Sequence, residues 1–384
     1  MKVLISCGEP SGDLYAGALT RELRALSSSA RVFGLGGDGL RAAGGDVVED
    51  YHGLTVTGLS EALAVLPRSY SIYRRLVALA RRERPDVFVP VDFPDFNFRL
   101  AASIRRMGIP VVYYICPQLW AWRRGRLKTI KRFATRALVI FPFEAAIYRE
   151  AGIPVEFVGH PLLDLATPTC SSTDFEREYG LDPRAPTVAV LPGSRPNEVR
   201  AILPVLVEAM RRISYRVPTT QFVVARAPRL DDALFAPLCT LAAGATARPP
   251  IVVVSRTDDV LEAADVVVTA SGTATVQAAL HKRPMVIVYR LSPLTFRIVK
   301  AFAHVDSVGM VNLIAGKTVA PELIQDDFTP QAVADAIVTL LLDPELRQRT
   351  RGELEEVCRK LGGGGASRRA AEAVVAVAES GRGR

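Results

Sequence analysis

Short apolar runs alternate along this chain with stretches whose apolar positions recur every three to four residues. The runs KVLISC (2–7), RVFGLG (31–36), DVFVPV (86–91), VVYYIC (111–116), RALVIF (136–141) and VEFVG (155–159) read as buried strands, with amphipathic helices between most of them. That rhythm predicts a doubly wound parallel sheet. The pattern breaks from Pro161 to Pro186, where Pro, Thr, Ser and Asp gather around ATPTCSSTD. A second series follows: TVAVLPG (187–193), TQFVVARA (220–227), PIVVVS (250–255), ADVVVTAS (264–271) and PMVIVYR (284–290). Helical segments at 331–342, 344–360 and 366–379 close the chain, the last two split by GGGG at 362–365.

The expected fold class is therefore α/β, with two Rossmann-like parallel-sheet domains facing across a cleft. The first spans 1–165 and the second 187–345, joined by a linker at 166–186. The helices of 346–384 would pack back on the first domain or on a partner subunit. In open α/β sheets ligands sit beyond the carboxyl ends of the strands, so the residues after each strand are the candidates for chemistry.

Composition agrees with a two-domain globular chain: 384 residues, 49% apolar and 23% charged. No apolar run reaches the roughly 18–20 residues of a membrane-crossing helix. The start, MKVLISCGEPSGD, turns polar too early for a secretory leader, and LISC lacks the charged leader of a lipoprotein box, so both read as the first strand. Five scattered cysteines without CxxC or His/Cys spacing indicate free thiols in a reducing compartment and no metal site. The net charge of +8 is uneven, because residues 1–160 hold 22 Lys and Arg against 15 Asp and Glu. A basic first half points to an anionic partner: nucleic acid, an acidic membrane surface or a phosphorylated substrate.

Several turns could carry chemistry. In GEPSGD, Gly8 and Gly12 allow a tight turn, Ser11 could cap a helix starting near Gly12, and Glu9 and Asp13 sit beside it. GLGGDG (34–39) has the wrong spacing and follows the wrong strand for a dinucleotide fingerprint. In LPGSRPNEV (191–199), Ser194 and Arg195 precede a helix expected near Asn197, a place for a pyrophosphate. Ser271, Gly272 and Thr273 repeat that arrangement after another strand. Two ordinary strand-to-helix turns are the competing reading. PQLWAWRRGRLKTIKR (117–132) joins both tryptophans to six basic residues between Arg123 and Arg132, which suits a membrane interface, a sugar phosphate, single-stranded nucleic acid or a solvated helix. LSEALAVLPRSYSIYRRLVAL (59–79) fits a membrane surface or burial against the sheet. His160 ends the first domain as a substrate contact or a structural histidine, and VDFPDFN (91–97) leaves its strand with two aspartates.

Taken together these strings resemble the lipid-A-disaccharide synthase family. GEPSGD, GLGG, GLSEAL, PDVFVPVDFPDFN, PQLWAWRRGR, FPFE, FVGHPLLD, LPGSRPNEV, SGTATVQAAL and MVNLIAGKTVAPELIQ occur in the family's order from about residue 3 to 330. No one string carries the resemblance; the ordered set does. It implies a GT-B glycosyltransferase without metal or cofactor, transferring 2,3-diacylglucosamine from UDP to 2,3-diacylglucosamine 1-phosphate with inversion. It also implies a cytoplasmic protein, peripheral on the inner face of the cytoplasmic membrane, able to form a homodimer and binding no nucleic acid. Asp92 matches the family's essential aspartate and is expected to be the base, with Asp95 capping the next helix or orienting Asp92. Arg195, helped by N–H groups at Ser271–Thr273, would stabilise the leaving UDP. Ser194, Glu198, Gln277, Asn312 and Gln325 are expected on the nucleotide or donor, and Glu9, Ser11, Asp13, Trp122, Arg123 and His160 on the acceptor. The chain departs from the family pattern at Gln277, where Glu is usual, at Pro90-Val91 for Gly-Ile, and at Gln118 for a small residue. The competing functions are another GT-B enzyme, such as a lipid-linked amino-sugar transferase or a UDP-sugar epimerase, and a non-catalytic basic binding module.

Overall fold

The structure, a computed structural model, describes residues 1–54, 59–117, 124–228, 230–242, 249–291 and 307–382. It divides into two units, Met1–Asp164 with Leu361–Arg384, and Leu165–Lys360.

In the first unit the strands are β1 (Lys2–Ser6), β2 (Arg31–Gly36), β3 (Asp46–Asp50), β4 (Val87–Pro90), β5 (Val112–Tyr114), β6 (Arg136–Val139) and β7 (Val155–Phe157). All pair in parallel, in the orders β3-β2-β1-β4 and β5-β6-β7. Parallel bridges Phe88–Val111 and Val91–Tyr114 join the two sets into one sheet. The strand order therefore reverses between β1 and β4, and the loops leaving these two strands flank that switch point. The apolar residues of β1, β2, β4 and β5, among them Leu4, Phe33, Phe88 and Tyr113, are fully buried under covering helices. Burial on both faces explains their near-continuous hydrophobic runs.

The second unit repeats the plan with β8 (Thr187–Leu191), β9 (Gln221–Arg226), β10 (Ile251–Val254), β11 (Val266–Ala270), β12 (Met285–Tyr289) and β13 (Glu322–Ile324). Its parallel order is β10-β9-β8-β11-β12-β13, with the reversal between β8 and β11. Two strands escape the hydrophobic pattern. DVVED (β3) is an edge strand with three acids, and ELI (β13) is a three-residue edge with no fully buried position.

The stretch expected to be a linker is instead folded. Ser172–Tyr179 forms a helix whose Ser171 side chain caps the Asp174 N–H, and Phe175 is fully buried. Asp259 holds the preceding residues by accepting from the Thr169 N–H, the Thr169 hydroxyl at 2.7 Å and the Cys170 N–H. Arg256 reaches Asp259 at 2.6 Å and Glu178 at 2.7 Å. Polar composition marked a loop here because its partners lie some 80 to 90 residues away and leave no local trace.

The C-terminal helices separate. Pro344–Lys360 packs within the second unit, whereas Ala366–Arg382 lies against the helix Pro10–Leu26 of the first. Asp164 caps this last helix, accepting from the N–H groups of Gly365 at 2.8 Å and Ala366 at 3.2 Å. Arg369 ties the glycine run down by donating to the carbonyls of Val158, Gly363 and Gly364.

Candidate active site

The helices that follow β1, β4, β6 and β8 open on proline: Pro10, Pro94, Pro142 and Pro196 each occupy the first turn. Proline lacks the N–H that the first turn leaves unpaired, and its fixed φ suits helix initiation. The helices expected near Gly12 and Asn197 therefore start two residues and one residue earlier than the polar residues suggested. Ser11 and Asp95 fall inside the first turn and cap nothing, because Glu9 and Phe93 hold the cap positions. Asp95 pairs with Arg126 at 2.7 Å instead.

Asp92 leaves β4 in the left-handed region, φ 44°, and Phe93 follows at φ 52°. Two successive left-handed non-glycine residues are costly, on the order of 1–3 kcal/mol each, and persist only where surrounding structure fixes them. Here it does. The Asp92 N–H donates to the Tyr114 carbonyl at 3.2 Å. The Asp92 carbonyl accepts from the Tyr113 hydroxyl at 3.0 Å and from the Asn97 amide at 2.7 Å. Asn97 is fully buried and spans to β1, donating to the Ser6 carbonyl at 3.1 Å and accepting the Ser6 hydroxyl at 2.6 Å. Phe93 rests where a side chain on Gly8 would stand, since a Cβ there would meet its ring at 2.3 Å. The GEPSGD turn and the VDFPDFN turn are thus one packed unit at the switch point. Asn97 went unread in the sequence, although its invisible role is to join the two motifs.

Tyr15 and His160 back this corner. Tyr15 is buried, and burial, with the charge of Asp92 among the lesser causes, holds its hydroxyl well above the ordinary tyrosine range. His160 is 2% exposed, meets Tyr15 edge-on at 6.2 Å, and accepts the Leu162 N–H on Nδ1 at 3.2 Å. Burial lowers its pKa to about 3, so the ring is neutral. Asp13 was expected on the acceptor, but its carboxylate is spent on the N–H groups of Gly37 at 2.8 Å, Gly39 at 2.7 Å and Leu40 at 3.1 Å. It neutralises the N-terminus of the short helix Asp38–Ala42. The glycines of GLGGDG serve that packing, since a Cβ on Gly37 or Gly39 would crowd Asp13. Glu9 and Ser11 remain partly exposed beside Asp92's turn. Trp122, Arg123 and Gln118 lie outside the described residues.

In the second unit the turns after β8 and β11 flank the other switch point. Gly193, at φ 123°, makes room for Glu198, whose carboxylate turns back to the N–H groups of Ser194 at 3.1 Å and Arg195 at 3.3 Å. Glu198, expected on the donor, thus closes the helix Pro196–Arg216 and steadies the Arg195 guanidinium at 3.4 Å. Arg195 keeps about a third of its side chain exposed. Gly272 lies at φ 150°, ψ −157°, a conformation open essentially to glycine alone, and it exposes the start of the helix Thr273–Leu280. The Ser271 hydroxyl donates to the Val308 carbonyl at 3.1 Å.

Two expected donor contacts are otherwise engaged. Asn312 is 2% exposed; its amide donates to the Ala320 carbonyl and Glu322, and its oxygen accepts the N–H groups of Val319 and Ala320. All its capacity is used within its own loop. Gln325 accepts the Leu291 N–H at 2.6 Å and returns a bond to the Leu291 carbonyl at 3.2 Å. Gln277 donates its amide to Asp258 at 3.3 Å. His281 also reaches Asp258, at 3.1 Å, and Glu262 at 2.8 Å. Sequence reading passed over Asp258 and His281; the one usable signal was the i,i+4 spacing of Gln277 and His281. No group of three or more metal-ligating side chains occurs among the described residues.

The arrangement offers an aspartate on a strained turn at one switch point and, at the other, an arginine and one exposed helix start. Comparison with known proteins places it. The family model described as lipid-A-disaccharide synthetase matches residues 3–377. A lipid-A-disaccharide synthase of Koribacter versatilis is 43% identical, covering 99% of both chains. Those of Geobacter sulfurreducens (41%; 97% of this chain, 96% of the relative) and Myxococcus xanthus (40%; 99% and 98%) are similar throughout. Among solved structures, a UDP-GlcNAc 2-epimerase from Neisseria meningitidis bound to UDP-GlcNAc superposes with a TM-score of 0.70 at 13% identity, covering 98% of this chain and 100% of that one. The calicheamicin glycosyltransferase CalG4 does so at 0.58 and 19%, covering 98% of each. These likenesses show the fold, GT-B.

Proposed function

The chain belongs to the lipid-A-disaccharide synthase family and is a glycosyltransferase of lipid A disaccharide synthesis, and on that premise we propose that it transfers 2,3-diacylglucosamine from UDP to 2,3-diacylglucosamine 1-phosphate with Asp92 as general base. In this reading Asp92 takes the proton of the acceptor hydroxyl as that oxygen attacks the anomeric carbon. The bond from that carbon to the UDP oxygen breaks, the electron pair leaves with UDP, and attack from the opposite face inverts the centre. Arg195 and the N–H groups at Ser271–Thr273 stabilise the charge developing on UDP. Glu9 and Ser11 stand on the acceptor side.

The observation that carries the base assignment is the double left-handed turn at Asp92–Phe93, locked by Tyr113, Tyr114 and Asn97. Strain so thoroughly supported is the mark of a position held for function. The test is Asp92→Asn with both diacylated substrates: transfer should fall by at least about 100-fold while UDP affinity stays within about twofold. Turnover like wild type would remove Asp92 as base.

Membrane contact belongs to the same proposal. The helix Leu59–Glu83 exposes Leu66 and Tyr70, four residues apart, beside Arg68 and Arg74. An apolar pair flanked by arginines suits the anionic inner face of the cytoplasmic membrane. No helix among the described residues is long and apolar enough to cross a membrane.

A further inference from the structure

Gln277 stands one turn into the helix that opens at Gly272, and its amide faces Asp258 of the helix Thr257–Ala263. An ionised carboxylate only accepts hydrogen bonds, so the group turned to Asp258 is the Gln277 NH2. That fixes the amide, and Oε1 is the atom left to accept from a ligand. His281, one turn further on the same face, reaches the same Asp258 oxygen at 3.1 Å and holds Glu262 through its other ring nitrogen at 2.8 Å. Glu262 is held in turn by Arg283 at 3.4 Å. The carboxylate facing Gln277 is therefore braced from behind and cannot swing away without abandoning His281, which is 95% covered.

We propose that Asp258, braced by His281, is a positioning residue for donor binding: it orients the Gln277 amide so that Oε1 accepts from the sugar hydroxyls of the UDP donor, and it makes glutamine, not glutamate, the functional residue at 277. This rests on the reading of the Ser271–Gln277 turn as part of the donor site. A glutamate at 277 would set a second carboxylate about where the amide nitrogen now lies, 3.3 Å from Asp258. Two carboxylates so close cannot both stay ionised without cost, so one would turn away or take up a proton. The chain thus presents one acceptor oxygen and one charge where a lone glutamate would present both itself.

The experiment compares wild type, Gln277→Glu, Asp258→Asn and the double variant. Each is measured by isothermal titration with UDP and by steady-state kinetics in the UDP-sugar, with melting temperatures as the folding control. Gln277→Glu should raise the UDP Kd and the donor KM about tenfold, with kcat within about twofold, the pattern of a lost ground-state contact. Asp258→Asn should also raise KM, because its amide can donate to Gln277 Oε1 and turn the acceptor away. Adding Asp258→Asn to Gln277→Glu should recover most of the affinity, which loss of a merely structural bond would not do. Wild-type affinity in Gln277→Glu, or a double variant no better than the single, overturns the proposal. Failure of wild type to bind UDP at all overturns the donor-site reading beneath it, a distinct result.

Discussion

The side-chain amide of Asn97 donates to the main-chain carbonyl of Asp92 at 2.7 Å, fixing the turn of the residue proposed as base. Asn97 has no exposed surface, and its other bonds go to Ser6 on the neighbouring strand. Replacing it with alanine strands the Ser6 hydroxyl, leaves the Ser6 carbonyl with the Val91 N–H alone, and frees the Asp92 turn to relax from its left-handed conformation. Asn97→Ala should lower stability by about 1–3 kcal/mol, the cost of leaving buried partners unpaired. Transfer should fall more than stability explains, with UDP affinity unchanged because Asn97 lies in the other unit. Urea unfolding, UDP titration and turnover on one preparation check all three.

Arg195 and Glu198 divide their turn differently from what residue type suggested. The arginine keeps about a third of its side chain exposed beside Glu198, and the glutamate is folded back on the main chain. Arg195→Ala should reduce kcat/KM for the UDP-sugar by about 100-fold or more, as loss of an oxyanion-stabilising group does. Glu198→Gln should cost about 0.5–1.5 kcal/mol of stability through a weaker cap, with a smaller loss of turnover than Arg195→Ala. A larger catalytic loss in Glu198→Gln than in Arg195→Ala would reverse these roles.

The two-sheet plan could be read from the sequence because its central strands are buried on both faces and print as unbroken apolar runs, as in TVAVL and VVVTA. β3 and β13 could not, since β3 carries three acids and β13 is three residues long with no fully buried position, which leaves no hydrophobic pattern to read. At the site, strand ends were legible as places and illegible as partners. Asp13, Ser11 and Asn312 are the residue types that bind sugars, yet Asp13 caps a helix 24 residues on and Asn312 closes a loop. Ser11 lost its capping role because Pro10 starts the helix and Glu9 takes the cap position. Asn97 and Asp258 act through contacts whose other half lies 91 and 19 residues away. Periodicity cannot report such pairings.

The exposed pair Leu66 and Tyr70 makes the membrane proposal separable from catalysis. Both leave the fold's core untouched, so Leu66→Glu with Tyr70→Glu should alter stability by no more than about 0.5 kcal/mol. Sedimentation with vesicles containing anionic phospholipid should drop severalfold, while turnover on substrates dispersed in detergent micelles is kept. Undiminished sedimentation would place membrane contact elsewhere.

His160 supplies the pH dependence. Burial against Tyr15 and Phe141 lowers its pKa from 6.5 to about 3, while the unfolded chain keeps the ordinary value. Between those values the unfolded state binds a proton that the folded state refuses, so stability rises with pH there. The contribution is complete above about pH 6.5 and is lost progressively as pH falls towards 3. Urea unfolding at pH 7.5, 6, 5 and 4 should show this acid slope. His160→Gln removes the titrating group and keeps an acceptor for the Leu162 N–H. It should therefore flatten the slope by close to one proton while lowering stability at pH 7.5 by about 1–2 kcal/mol for the imperfect fit. A slope unchanged by the substitution would assign the acid sensitivity to the paired carboxylates, of which Asp259, held below its usual range against burial by Thr169 and Arg256, is the next candidate.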